Sequence, residues 1–217
     1  MIRIAIDGPG GAGKSTIAKL LAKRLNIDYV DTGAMYRGIA LKILESGIDI
    51  DDQVEIKKML DDITIDFNND RLLLDGKDIS KKIRTQEVSM LASSCSAIEV
   101  VREKLVAIQK EIAKSKSLVM DGRDIGTNVI KDAEVKIFLT ADPMVRAKRR
   151  YDELISNGKK ANLEEIYEET KERDLKDSTR KINPLKQADD AIYIDSTDMD
   201  IDEVVNSILE IVNNLRF

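Results

Sequence analysis

Short apolar runs alternate with amphipathic stretches along most of this chain. In residues 2–6 isoleucine recurs at every second position, as in a β-strand, and the run leads directly into a glycine-rich segment. Residues 17–25 then carry apolar side chains at helical spacing. Further short apolar runs lie at residues 27–30, 118–120, 135–139 and 191–194, and helical patterns separate most of them. This alternation predicts an α/β fold in which helices cover both faces of a parallel sheet.

One segment departs from this alternation and has the pattern of an antiparallel hairpin. Apolar and polar residues alternate over residues 63–67, and an Asn-Asn-Asp turn is predicted at 68–70. A second run follows at 71–74 and ends at Asp75-Gly76, which is a strong hairpin signal. We therefore predict a small antiparallel insert within the α/β chain.

A second segment, residues 151–181, is charged at roughly every other position and contains the turn sequence Ser156-Asn157-Gly158. Two interpretations are open for it. It is either a mobile flap over a binding site or a solvated helical hairpin.

The glycine-rich segment matches the phosphate-binding motif G-x-x-x-x-G-K-[ST] and lies between a predicted strand and a predicted helix, as that motif requires. Glycines let successive backbone N–H groups point at phosphate oxygens, and the helix N-terminus adds positive potential. We expect Lys14 to reach the β- and γ-phosphates and Ser15 to bind Mg²⁺. The nucleotide would be held by Gly8, Pro9, Gly10, Gly11, Ala12, Gly13, Lys14, Ser15 and Thr16.

Composition excludes several other kinds of site. The 217 residues include no histidine, so Ser-His-Asp triads and histidine metal sites are excluded. The single cysteine, Cys95, excludes internal disulfides and fits a reducing compartment, and we expect it to be a small buried apolar residue. The net charge of −5 argues against a mainly nucleic-acid-binding surface, and no apolar run reaches the ~18–20 residues that span a bilayer. We therefore expect a cytoplasmic protein.

Arginines lie where an acceptor for the phosphoryl group would bind. Arg37 and Arg123 follow predicted strands, and ligands of open parallel sheets bind beyond the carboxyl ends of the strands. Phosphoryl transfer needs positioning and positive charge around the moving group, which arginine supplies. Asp121 ends an apolar strand, and it either holds Mg²⁺ through water or is a turn carboxylate before Gly122.

Two further charged sets share helix faces by their spacing: Arg146, Arg149 and Arg150 form one, and Arg173, Asp177 and Arg180 form the other. For Arg146 a surface salt bridge is the favoured interpretation. Asp177 is either a ligand-binding residue or the partner of an arginine on its own helix.

The phosphate loop alone leaves the reaction open. The Asn-Lys-x-Asp motif of GTPases is absent from the sequence. The alternatives are a kinase for another nucleotide or a small metabolite, and a non-catalytic nucleotide-binding switch.

Six segments together resemble bacterial cytidylate kinases, a branch of the nucleoside monophosphate kinases, over essentially the whole chain. They are GPGGAGKST (8–16), DTGAMYR (31–37), IRTQEV (83–88), DGRDIGT (121–127), ERD (172–174) and DST (195–197). The resemblance implies ATP-dependent phosphorylation of CMP and dCMP with Mg²⁺. It also implies a three-layer P-loop fold with a five-stranded parallel sheet, in one kinase domain over 1–217.

The same resemblance implies the remaining parts of the site. A monophosphate-binding and insert region would span about 32–100, and a short lid about 150–165. Lid closure would bring Arg149 or Arg150 over the transferring group, beside the catalytic Lys14 and Arg123. Metal binding would fall to Ser15 and, through water, Asp121. Substrates would be small molecules, and we expect a monomer with no nucleic-acid or membrane partner.

Position by position, the resemblance assigns Thr32, Arg37 and Arg123 to the acceptor phosphate, and it assigns Ser93, Arg102, Asp124, Arg173, Asp177 and Arg180 to the cytosine and its sugar. A carboxylate that accepts from the cytosine amino group beside an arginine that donates to N3 or O2 selects cytosine over uracil. Asp124 with Arg102 or Arg180 can form that pair.

Overall fold

The computed structural model describes residues 1–68 and 71–214. Asn69 and Asp70, which belong to the predicted turn, lie outside the described residues. The strands are β1 (Arg3–Asp7), β2 (Asp28–Asp31), β3 (Ile65–Asn68), β4 (Arg71–Leu74), β5 (Lys77–Asp78), β6 (Leu118–Gly122), β7 (Val135–Thr140) and β8 (Ile192–Asp195). The α-helices are α1 (Lys14–Leu25), α2 (Thr32–Ser46), α3 (Gln53–Asp61), α4 (Gln86–Cys95), α5 (Glu99–Ser115), α6 (Pro143–Ser156), α7 (Leu163–Thr179) and α8 (Ile201–Asn214).

These elements form two units. The first unit comprises Met1–Tyr29 and the chain from Ser117 onward, and the second comprises Val30–Lys116. Among the described residues, no helix has both the length and the apolar composition that crossing a bilayer requires.

The main sheet has five strands in the order β2-β6-β1-β7-β8. Strand β1 pairs in parallel with β6 and with β7, and β7 pairs in parallel with β8. Residues 4–7 of β1 are all buried, as expected for a strand covered on both faces. In the first unit α1 and α8 pack together, and their apolar side chains form a core with β1 and β7. The predicted α/β fold with a five-stranded parallel sheet is confirmed.

The strand register sets where the chemistry can lie. Asp7, the last residue of β1, pairs with Gly122 at the end of β6 and with Phe138 on β7. The glycine-rich segment after β1 and the charged segment after β6 therefore leave the sheet side by side. This edge is the carboxyl end of the parallel strands, where ligands of such sheets bind.

The second unit contains the predicted antiparallel insert. Strands β3, β4 and β5 form a separate sheet in that order, and β3 pairs with β4 from Ile65–Leu74 to Asn68–Arg71. Cys95 is fully buried in the core of this unit, as expected, and burial raises the pKa of its thiol to about 11.

In the first unit, the charged segment at 151–181 is mostly helical. Helices α6 and α7 pack against each other and are joined by residues 157–162. The predicted lid, 150–165, thus spans the end of α6, this connection and the start of α7.

Gly8 joins β1 to the phosphate loop with a φ of 148°, and a Cβ at this position would lie 1.9 Å from the carbonyl oxygen of Leu139. We expect Gly8→Ala to lower the free energy of unfolding by about 3 kcal/mol or more, because the backbone of β7 would have to move. The matched control is Gly158→Ala, where φ is 72° and a Cβ would meet no atom within 4 Å. That change should cost only the left-handed backbone penalty of about 1–2 kcal/mol. Urea unfolding of both variants measures the difference, and equal losses would contradict the steric explanation.

Candidate active site

The phosphate loop connects β1 to α1 and presents the start of that helix. Gly13 precedes α1 with a φ of 87°, a conformation that favours glycine. Glycine has no side chain to cap the helix, so the N–H groups of the first turn remain available to an anion. A Cβ on Gly10 would lie 3.4 Å from Nη2 of Arg123 and 3.6 Å from Cδ of Arg173. Two guanidinium side chains therefore flank the loop within the first unit.

Lys14 is buried within this group of cations. Its side-chain nitrogen donates to the carbonyl oxygen of Pro9 at 2.7 Å, and the residue is 5% exposed. Burial lowers the pKa of Lys14 well below its ordinary value, and the positive charges of Arg123 and Arg173 lower it further. The charge on Asp121 only partly opposes this shift. An anionic ligand with several phosphate oxygens would compensate the electropositive environment.

Ser15 and Asp121 form a pair of oxygen ligands beside Lys14. The Ser15 hydroxyl donates to Oδ2 of Asp121 at 2.9 Å, and the Tyr29 hydroxyl donates to Oδ1 at the same distance. Hydroxyl and carboxylate oxygens suit Mg²⁺, which usually binds one or two protein oxygens together with substrate phosphates and water. Within the part of the chain that the structure describes, no three carboxylates or cysteines cluster as a metal cage. Both side chains thus fit a Mg²⁺ ion that arrives with a nucleotide.

A second cluster of arginines and carboxylates lies within the first unit. Nε of Arg123 donates to Oδ2 of Asp177 at 2.8 Å, and Nη2 of Arg180 donates to Oδ1 of Asp124 at 3.2 Å. Burial alone would raise the pKa of Asp177, but Arg123, Arg173 and Arg180 together hold it below its usual value. The pair between Asp177 on α7 and Arg180, which follows the end of that helix, is longer at 3.9 Å. The structure therefore brings together five of the predicted site residues, which are Arg123, Asp124, Arg173, Asp177 and Arg180.

Asp7 holds the turn that follows Asp124, which the sequence did not reveal. Its carboxylate accepts hydrogen bonds from the N–H groups of Ile125 and Gly126 at 2.8 and 2.7 Å. The turn itself, Ile125–Val129, is a π-helical turn. Burial raises the pKa of Asp7 to about 6, and the charge on Asp124 contributes to the shift. The only signal in the sequence was an aspartate at the end of an apolar strand.

The arginines of α6 do not share one environment. The expected salt bridge of Arg146 forms, since its Nη2 donates to Asp174 at 2.6 Å. Its expected surface position was wrong, because Arg146 is 3% exposed, although the Asp174 side chain is 25% exposed. Its guanidinium is directed inward, where it also donates to the carbonyl oxygens of Ala141 and Gly10. Arg149 donates to the carbonyl oxygen of Ser196 at 2.7 Å. Arg150 is exposed and pairs with Glu153.

The remaining predicted residues belong to the second unit. Thr32 is buried at the start of α2, and Arg37 donates to Asp31, the cap of that helix, at 3.0 Å. Arg102 is 2% exposed, donates to the carbonyl oxygen of Ser96 and lies over the ring of Tyr36.

Ser93, the fourth predicted residue of this unit, is half-buried on α4. Its carbonyl oxygen accepts a hydrogen bond from the Ser96 hydroxyl at 2.7 Å.

Residues 4–214 match a family model described as cytidylate kinase. A cytidylate kinase of Caldicellulosiruptor saccharolyticus is 52% identical over 214 residues, which cover 97% of this chain and 95% of that protein. A cytidylate kinase of Fusobacterium nucleatum is 46% identical over 215 residues and 99% of both chains. One of Clostridium botulinum is 48% identical over 97% of both.

Two solved kinases share the fold at low sequence identity. A shikimate kinase from Bacteroides thetaiotaomicron has a TM-score of 0.52 at 15% identity and covers 98% of both chains. A gluconokinase from Sinorhizobium meliloti has a TM-score of 0.50 at 14% identity, over 100% of this chain and 96% of the other. They show similarity of fold alone.

The environment of Asp7 predicts a pH-dependent stability. Because its pKa is raised to about 6, the folded protein retains a proton that the unfolded chain, with the ordinary value of 3.8, has already lost. Stability from this group is therefore present at low pH and is lost as the pH rises to about 6. Relative to Asp7→Asn, the wild type should lose up to about 3 kcal/mol of unfolding free energy between pH 4 and pH 7. Urea unfolding across this range measures the loss, and parallel profiles for the two proteins would contradict the assignment.

Proposed function

The chain belongs to the cytidylate kinase family, and we propose that it transfers the terminal phosphoryl group of ATP to CMP and dCMP, producing ADP and CDP or dCDP. The observation that carries this proposal is the position of Lys14. It is buried in the phosphate loop, close to Arg123. Arg123 pairs with Asp177, which also approaches Arg180. Arg180 in turn pairs with Asp124. Donor-binding and base-reading chemistry thus meet in one network of charges.

The donor half binds ATP through the phosphate loop. Backbone N–H groups at the start of α1 receive the phosphate oxygens, and the Lys14 ammonium stabilises the charge on the β- and γ-phosphates. Ser15 and, through water, Asp121 would hold Mg²⁺, which would neutralise charge on the phosphates.

The acceptor half binds the monophosphate through arginines. Arg123, which flanks Gly10, supplies positive charge next to the phosphate loop. From the second unit, Thr32 and Arg37 bind the acceptor phosphate, as the resemblance assigns them. Ser93 and Arg102 contribute to the nucleoside.

Base selection belongs to Asp124. Asp124 is 5% exposed and its carboxylate pairs with Arg180, so one acceptor and one donor group lie side by side. Cytosine presents an amino donor beside the N3 acceptor, whereas uracil reverses these two groups. Asp177 and Arg173 then face the sugar.

The transfer needs no protein base. An oxygen of the CMP phosphate is already anionic, and it forms a bond to the γ-phosphorus while the bond from that phosphorus to the β–γ bridging oxygen breaks. The chain orients the two phosphates in line and excludes water, which would otherwise accept the group. Closure of the 150–165 lid, with Arg149 or Arg150 over the moving group, serves this exclusion.

A single kinase domain, a monomeric state and a cytoplasmic location remain predictions from the sequence. Nucleic acid and membranes have no part in the proposed reaction.

A panel of acceptors tests the proposed function. We expect ADP release, measured with a coupled assay, to be fastest with CMP and dCMP and much slower with UMP, AMP and shikimate. Lys14→Ala should reduce kcat with CMP by about 10²–10³-fold, because it removes a charge contact made to the reacting phosphates. ADP release that does not depend on an acceptor would support the switch instead. Preference for shikimate would support a metabolite kinase.

The same panel checks the base-reading residue. Asp124→Ala should lower the preference for CMP over UMP by about 1–3 kcal/mol, because the acceptor for the cytosine amino group is lost. An unchanged ratio would remove Asp124 from base selection.

A further inference from the structure

Arg146 is buried at a junction of three chain segments. Its Nε donates to the carbonyl oxygen of Ala141 at 2.8 Å, and its Nη1 donates to the carbonyl oxygen of Gly10 at 2.9 Å. Nη1 and Nη2 also donate to the two carboxylate oxygens of Asp174 at 3.2 and 2.6 Å. The guanidinium thus ties the end of β7, the phosphate loop and α7 together.

The contact with Gly10 fixes the orientation of one peptide of the phosphate loop. In a trans peptide the C=O and the following N–H point in opposite directions. The described chain has no cis peptide bond, so a Gly10 carbonyl that faces Arg146 directs the N–H of Gly11 to the other side. Arg146 also packs closely here, since a Cβ on Gly11 would lie 3.1 Å from the Cβ of Arg146. The contacts with Arg146 therefore stabilise this orientation of the peptide.

Two carboxylates of helix α7 pair with arginines from the two halves of the proposed site. Asp174 pairs with Arg146 behind the phosphate loop, and Asp177, three residues further along the same helix, pairs with Arg123. Residues three apart on a helix are neighbours on one face. The two carboxylates therefore move with the same rigid element.

We propose that Arg146 is a positioning residue that orients the phosphate loop for the triphosphate, and that Asp174 holds it there, so that helix α7 links the donor loop to the acceptor arginine Arg123. This inference rests on the proposed ATP-binding function. Arginine is required because its planar fork donates to two carbonyl oxygens and a carboxylate at once, which an ammonium on a flexible stem does not reproduce.

Asp174→Asn tests the inference, with Arg146→Lys as a second variant. Calorimetric titration of the full-length variants with ATP and Mg²⁺, and separately with CMP alone, gives the two affinities. We expect both changes to weaken ATP binding by about tenfold or more, because the loop N–H groups lose their alignment. CMP affinity without ATP should stay within about twofold. The matched control is Glu168→Gln, which removes an exposed carboxylate of α7 that pairs with Lys171 and should change neither affinity.

Three results would overturn the inference. Unchanged ATP affinity in both variants, with an active wild type, would remove Arg146 and Asp174 from loop positioning and leave the proposed function intact. Equal weakening for ATP and CMP, or loss of folding in both variants, would show a general structural role. A wild type that neither binds ATP nor phosphorylates CMP would overturn the proposed function as well.

Discussion

Like charges are concentrated around the phosphate loop, and carboxylates from elsewhere in the first unit hold them there. Lys14 is buried, and Arg123 and Arg173 lie near enough to lower its pKa further. Asp177 and Asp174 on α7 pair with Arg123 and Arg146, and Asp124 pairs with Arg180. Such an arrangement is costly without an anion, because the buried Lys14 ammonium loses hydration and is repelled by the neighbouring arginines. A bound triphosphate and a second phosphate would supply negative charge and remove that cost. The cluster of cations in the free protein therefore favours the binding of these ligands.

The parallel sheet makes this concentration of charge possible. Strands β1 and β6 end side by side, so the phosphate loop and the segment from Asp121 to Asp124 leave the sheet at one edge. Asp7 then ties the two segments through the N–H groups of Ile125 and Gly126. The phosphate loop and the turn that follows Asp124 are therefore joined through one buried carboxylate.

The local sequence pattern was sufficient to predict those parts of the fold and of the site that are determined by residues close together in the sequence. Short apolar runs separated by helical patterns predicted the strands of the parallel sheet, and the glycine–lysine–serine spacing predicted the phosphate loop. The Asp75-Gly76 turn marked the insert, and both residues have positive φ in the structure. Arg146 was misjudged because its partners, Gly10 and Asp174, are 136 and 28 residues away, and helix spacing gives no sign of them. The role of Asp7 was missed for the same reason, since its partner Ile125 is 118 residues away.

The most direct measurement of the central claim is the pKa of the Lys14 ammonium, followed by NMR on lysine-labelled protein with and without ATP. Burial, together with the positive charges of Arg123 and Arg173, predicts a pKa well below the ordinary 10.5 in the free protein, and a rise towards that value when the triphosphate is bound. An ordinary pKa in the free protein that ATP does not change would contradict the account.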